Sequence, residues 1–188
     1  METRDLILTQ ALELFAARGY DAVGVQELAL AAGVTKPTLY HHFGNKEGVL
    51  TALVAQGSGP LLAKLNTATN YRGDLTLNLL ALTDAYLSFA ITQPSFYRLL
   101  SACSLAPAES DSYRLARPVE EQQYRLVEAL FEKATRDHGN MKGRARPYAH
   151  SFIGLVNTYA RLALLGEVDV GDALKRDIVQ RFSHGIYS

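Results

Sequence analysis

The sequence predicts an all-α protein: an N-terminal three-helix helix-turn-helix head joined to a larger helical region, about nine helices in all. Three observations predict it. Apolar residues recur at three- and four-residue spacing along nearly the whole chain. No segment alternates as a half-buried strand, and no Asn-Gly hairpin signal occurs. All six prolines fall at or near the starts and breaks of the helical segments. With 188 residues, 48% of them hydrophobic, the chain has enough apolar material for a sizeable core.

The first helix is expected over 3–18. Thr3 caps it, Gly19 ends it in a left-handed turn, and Ile7, Leu8, Ala11, Leu12, Leu14 and Phe15 form its apolar stripe. The second covers 25–32 and stops at Gly33. The third starts after Thr35, a good cap, with Pro37 tolerated in its first turn. Only Gly33, Val34 and Thr35 separate these two helices, and so short a turn makes them cross steeply. The fourth begins after Asn45 and is expected to kink or break at Gly57-Ser58-Gly59-Pro60, because Pro60 has no N–H for the carbonyl four residues back. That break is the expected hinge between head and effector region. The fifth, after Asp74 to Gln93, is apolar nearly all round and so predicted buried; Pro94 stops it. A sixth helix over 94–105 is followed by a short segment near 108–116 and a longer helix over 118–138. Gly139 and Asn140 turn the chain into two last helices, 144–165 and 172–186.

Composition excludes several classes. Net charge is zero, and the first 48 residues carry four basic and six acidic side chains, a net charge of −2. A basic head would have been independent support for nucleic-acid binding; this head offers none. The single cysteine, Cys103, excludes an internal disulfide and fits a reducing cytoplasm, the expected location. No apolar run approaches the roughly 20 residues of a membrane span, and the charged start Met-Glu-Thr-Arg-Asp predicts no signal peptide. There is no Ser/His/Asp ordering, phosphate-binding glycine loop or paired-cysteine spacing, so neither an enzyme nor a cofactor is expected. His41 and His42 are adjacent on a helix and point about 100° apart, a poor arrangement for one metal ion; no metal is expected.

Residues 33–46 carry the chemistry. At about 100° per residue, Leu39 and Phe43 share one face of the third helix with His42 beside them. Pro37, Thr38 and His41 point the other way, flanked by Tyr40. That outer face offers a hydroxyl, an imidazole, a phenol and an apolar ring, which suit base edges and a thymine methyl. Lys46 stands in the first turn of the fourth helix, where the helix dipole disfavours a cation unless an anion such as a DNA phosphate is near; Lys36 is placed likewise on the third helix. The residues alone leave two readings open: a DNA-reading head, or a helical hairpin with a solvated outer face in an all-helical interaction module.

At these residues the chain resembles the TetR family of transcriptional regulators. The resemblance rests on Phe15, Gly19 and Tyr20 at the end of the first helix, Leu28-Ala29, the Gly33-Val34 turn, and above all Pro37-Thr38-Leu39-Tyr40-His41-His42-Phe43 with Asn45-Lys46. It covers about the first 50 residues. It implies an all-helical homodimer in which residues 1–46 bind double-stranded DNA at a palindromic operator. Residues 47–188 would hold a small-molecule effector and the dimer interface, and the protein would be a repressor released by its effector. Carried over residue by residue, Lys36, Pro37, Thr38 and His41 match positions facing base edges or nearby phosphates. Tyr40 and Lys46 match phosphate contacts, and Gln26 matches a further contact. The family's frequent threonine at the start of the second helix is absent; Gly24-Val25 stands there.

One reading head per chain requires two chains for a palindrome. Phe152, Leu155 and Tyr159 form one candidate interface stripe, and Leu174, Ile178 and Phe182 another; each stripe could equally pack within one chain. Tyr86, Phe89, Phe96, Tyr97, Tyr124 and Asn157 are the candidate effector residues, for an apolar or aromatic molecule, with core packing as their alternative role.

Overall fold

The computed structural model describes residues 2–185. Their helices are α1 (Thr3–Arg18), α2 (Val25–Ala31), α3 (Lys36–Phe43), α4 (Lys46–Ala68), α5 (Leu75–Thr92), α6 (Pro94–Ser104), α7 (Asp111–Ala134), α8 (Ala145–Leu164) and α9 (Asp172–His184), with one 3-10 turn at Gly139–Met141. No strand occurs among the described residues. The chain forms two compact units, one from residues up to 59 with 93–120, the other from 60–92 with 121 onward.

In the first unit α1 packs against α2 and α6, and α2 against α3. The expected stripe of α1 supplies the centre: Ile7, Leu8, Ala11 and Phe15 are buried with Leu28, Leu39 and Leu50. The ring of Phe15 meets Tyr20 edge-on at 5.2 Å. Thr3 is the first helical residue rather than the cap; Glu2 holds the cap position without a side-chain hydrogen bond.

In the second unit α5 is the central helix, packed against α8 and α9. Contrary to the expectation that no run approaches a span, its 18 residues are long and apolar enough to cross a membrane by length and composition, with mean hydropathy 1.3. Here Leu79, Leu82, Tyr86 and Phe89 are buried in the unit. Phe182 of α9 meets Phe152 at 5.0 Å and Phe131 at 5.9 Å. Polar side chains close the helix ends: Asp74 accepts the Leu77 N–H at 3.0 Å, and the Asn78 amide donates to the Ala68 carbonyl at 2.7 Å.

Two expected breaks are absent for one reason. The break at 57–60 is absent, since α4 runs unbroken through Pro60. The short segment and long helix around 108–138 are one helix, α7, which runs through Pro118. Each proline removes one N–H from a carbonyl four residues earlier, that of Gln56 or Arg114. Pro60, Gln56, Pro118 and Arg114 are all exposed, so water can take the orphaned carbonyls and the helices survive. Residue 186, the expected end of the last helix, lies outside the described residues.

Candidate nucleic-acid interface

The turn between α2 and α3 is built by two residues. Gly33 adopts φ +63°, the left-handed conformation that glycine takes without steric cost; the following Val34 N–H then returns to the Ala29 carbonyl at 2.9 Å, closing α2. Thr35 caps α3: its Oγ1 accepts the Thr38 N–H at 3.3 Å and lies 2.9 Å from the Thr38 hydroxyl. The cap therefore also fixes Thr38, one of the expected base-reading residues.

The faces of α3 follow the expected periodicity except at His42, expected beside the inner pair but exposed. Leu39 is fully buried and Phe43 half-buried, while Lys36, Pro37, Tyr40 and His41 are exposed and Thr38 is half-buried. Gln26 is exposed on α2, which packs against α3. All seven expected DNA-contacting residues thus lie at least partly open, six of them on the two adjoining helices α2 and α3.

The seventh, Lys46, is placed differently. Its ammonium donates to the carbonyls of Tyr20 and Val23, each at 3.1 Å, and lies 4.1 Å from the centre of the Tyr20 ring. The cation is thus accommodated at the helix start by two carbonyl dipoles and a ring face. Burial pushes the Tyr20 phenol up to about 12, with Asp111, Glu47 and Asp21 adding to the effect. Arg18 is likewise engaged, by Glu27. Arg4 sits 5.5 Å from the Phe43 ring centre. Lys36 makes no ion pair among the described residues.

The joint between α3 and α4 is tight. Gly44 turns the chain at φ +74°, and Asn45 Oδ1 accepts the Gly48 N–H at 2.7 Å. A Cβ on Gly48 would fall 1.9 Å from the Phe43 carbonyl oxygen. Further along α4, a Cβ on Gly57 would fall 2.2 Å from the Phe96 ring. Sequence reading missed both close approaches; the only hint was glycine inside an otherwise good helical pattern.

The candidate effector residues belong to both units. Phe96 and Tyr97 are buried in the first unit, where Phe96 packs on Gly57. Tyr86 and Phe89 are buried in α5 of the second unit, Tyr124 stacks on His150 at 4.1 Å, and Asn157 is half-buried on α8. The second unit holds a cavity of about 880 Å³ whose lining includes none of the six. Leu79, Phe131 and Phe182 form apolar wall, and Arg181, His138 and His184 supply cationic and N–H groups. The Arg181 Nε donates to Asp177 at 2.7 Å.

The candidate dimer stripes are partly core. Phe152 and Ile178 are fully buried within their own unit, so they cannot also meet a second chain. Leu155, Tyr159, Leu174 and Phe182 are half-exposed, with Leu165 open at the end of α8.

Comparison with known proteins assigns the arrangement. The profile described as "Bacterial regulatory proteins, tetR family" matches residues 7–53. The HTH-type transcriptional activator FasR of Mycolicibacterium smegmatis is 31% identical over 155 residues, covering 82% of this chain and 68% of FasR. The chain belongs to the TetR family of bacterial transcriptional regulators. Solved TetR-like structures share its fold along nearly the whole length. The family member PfmR from Thermus thermophilus superposes with TM-score 0.79 at 21% identity, covering 100% of this chain and 99% of PfmR. FadR from Bacillus subtilis, solved in complex with stearoyl-CoA, does so with TM-score 0.79 at 16% identity over 97% and 99% of the two chains.

Proposed function

We propose that this TetR-family regulator acts as a homodimer that reads a palindromic operator and represses transcription until a small-molecule effector lowers its affinity for DNA. The observation that carries the reading is α3. It is a short helix fixed by the Thr35 cap and the buried Leu39, and it presents Pro37, Tyr40 and His41 to the outside with Thr38 held beside them. Base contacts would come from Pro37, Thr38 and His41, and phosphate contacts from Lys36 and Tyr40, with Gln26 on α2 adding one more. Residues 1–46 form the DNA-binding domain in this reading, and the remainder serves the effector and the dimer. The half-exposed Leu155, Tyr159, Leu174 and Phe182 support a dimer contact through α8 and α9. A bound dimer represses when its operator overlaps a promoter; the relative named as an activator marks the opposite sign of control in that protein.

An acyl-coenzyme A thioester is the proposed effector class. It is supported by the ligand of the Bacillus subtilis neighbour and by the cavity of about 880 Å³, which combines apolar wall with Arg181 and two imidazoles. Such a volume is within the usual range of small-molecule sites, roughly 300–1,000 Å³. An effector acts only through a difference in affinity for two states of the protein. Gel-shift titration with DNA from the gene's own upstream region, with and without stearoyl-CoA, tests both parts. Sequence-specific retention that stearoyl-CoA weakens is the expected result. Retention unaffected by any acyl-CoA removes the effector class, and no sequence-specific retention removes the DNA-reading function. The slightly acidic head favours the second reading, an interaction module that does not touch DNA, and that last outcome is the one it requires.

A further inference from the structure

We infer that Lys46 is a positioning residue that locks the first turn of α4 onto the α1–α2 turn and so fixes the reading helix relative to α4; this role rests on the DNA-reading function proposed above. The Lys46 ammonium donates at 3.1 Å to two carbonyls, those of Tyr20 and Val23 in the α1–α2 turn. Its charge lies 4.1 Å from the centre of the Tyr20 ring, and that ring is buried against Phe15. An ammonium has three N–H donors, so two are committed inside the unit. The seat is only partly open to water, which strengthens the ion–dipole and cation–ring attraction over that of a solvated lysine.

The neighbouring contacts make the joint stiff on its other side. Asn45 caps the Gly48 N–H, and Gly48 approaches the Phe43 carbonyl too closely to admit a side chain. α3 is therefore fastened to α4 through Phe43, Asn45 and Gly48, while the α1–α2 turn is fastened to α4 through Lys46. These attachments bracket the reading helix, so the start of α4 and the reading face form one body. Substituting Lys46 frees one side of the bracket and leaves the exposed face of α3 chemically unchanged.

Two measurements test the role. In the wild-type protein without DNA, NMR reads the Lys46 Hε protons; stacking over the Tyr20 ring shifts them upfield of solvated lysines such as Lys36. Random-coil shifts at Lys46 Hε overturn the seat, and this readout needs neither DNA nor a variant that folds. The second compares Lys46→Met with Lys36→Met on upstream DNA across a salt series. Removing a cation that neutralises a phosphate flattens the slope of log affinity against log salt by about 0.9 per phosphate, about 1.8 for the two heads of a dimer. The positioning role predicts that Lys46→Met weakens binding by about fivefold or more with the slope unchanged, whereas Lys36→Met flattens it. A slope flattened by Lys46→Met as much as by Lys36→Met, or wild-type affinity in Lys46→Met, overturns the role. Failure of the wild-type protein to bind that DNA at all counts against the proposed function and leaves the NMR test standing.

Discussion

Salt dependence of DNA binding should be shallow for a regulator of this kind, and the head's charge inventory sets the size. Of its basic side chains, Arg18 is held by Glu27 and Lys46 by two carbonyls. Lys36 and Arg4 are the exposed cations left for phosphates, and Arg4 also lies near the Phe43 ring. Two heads then neutralise about four phosphates, which predicts a slope of log affinity against log salt of about −3.6. Between 50 and 200 mM salt the affinity should fall by about 150-fold, against roughly 10³–10⁵ for proteins that make six to ten phosphate contacts. Fluorescence anisotropy of a labelled upstream duplex, titrated at four or five salt concentrations, gives the slope directly. A slope steeper than about −6 would overturn this charge inventory, because it would require cations that the head has committed internally.

Other perturbations have defined outcomes. Gly48→Ala should destabilise the protein by about 1–3 kcal/mol in chemical unfolding, because the new methyl meets the Phe43 carbonyl and one backbone segment must move; Gly57→Ala should cost a similar ~1–3 kcal/mol against the Phe96 ring. Thr35→Ala should cost about 1 kcal/mol by removing the cap of α3, and it should weaken specific DNA binding by releasing Thr38. Burial pushes the Cys103 thiol up to about 11, so a disulfide reagent at pH 8 should react slowly with native protein and fast after denaturation. Tyr20 and Cys103 both have folded pKa values above their unfolded ones of 10.0 and 9.0. Their contribution is complete below about pH 9 and is lost as pH rises toward 11–12, so alkaline titration of the unfolding midpoint should show a decline over that window and none between pH 7 and 8 from these groups.

The head was legible in the sequence because its signals are local. The stripe of α1, the Gly33 turn and the Thr35 cap each involve residues within a few positions, and the inner and outer faces of α3 follow from helical period alone. Pro60 and Pro118 misled for a physical reason: a proline's missing N–H matters less when the orphaned carbonyl faces water, and exposure is not a local property. From the sequence, Lys46 is a first-turn cation expected to meet a DNA phosphate. In the fold its ammonium meets carbonyls 26 and 23 residues earlier, a contact that only the folded unit creates. The same limit applied to the larger region. Phe152 and Ile178 carry the pattern of an interface stripe, but an amphipathic stripe does not say whether its partner is the same chain. For the six effector candidates, aromatic or polar character alone does not separate a ligand contact from core packing.

The most direct test of the central claim is footprinting of the purified protein on its own upstream DNA, with Thr38→Ala and His41→Ala beside the wild type. A protected palindrome with half-sites about 34–36 Å apart or a multiple of that spacing is the expected result. Either substitution should relax the preference at particular base pairs, at about 1–3 kcal/mol for each base-edge interaction removed. Protection without sequence preference, unchanged by both substitutions, would contradict it.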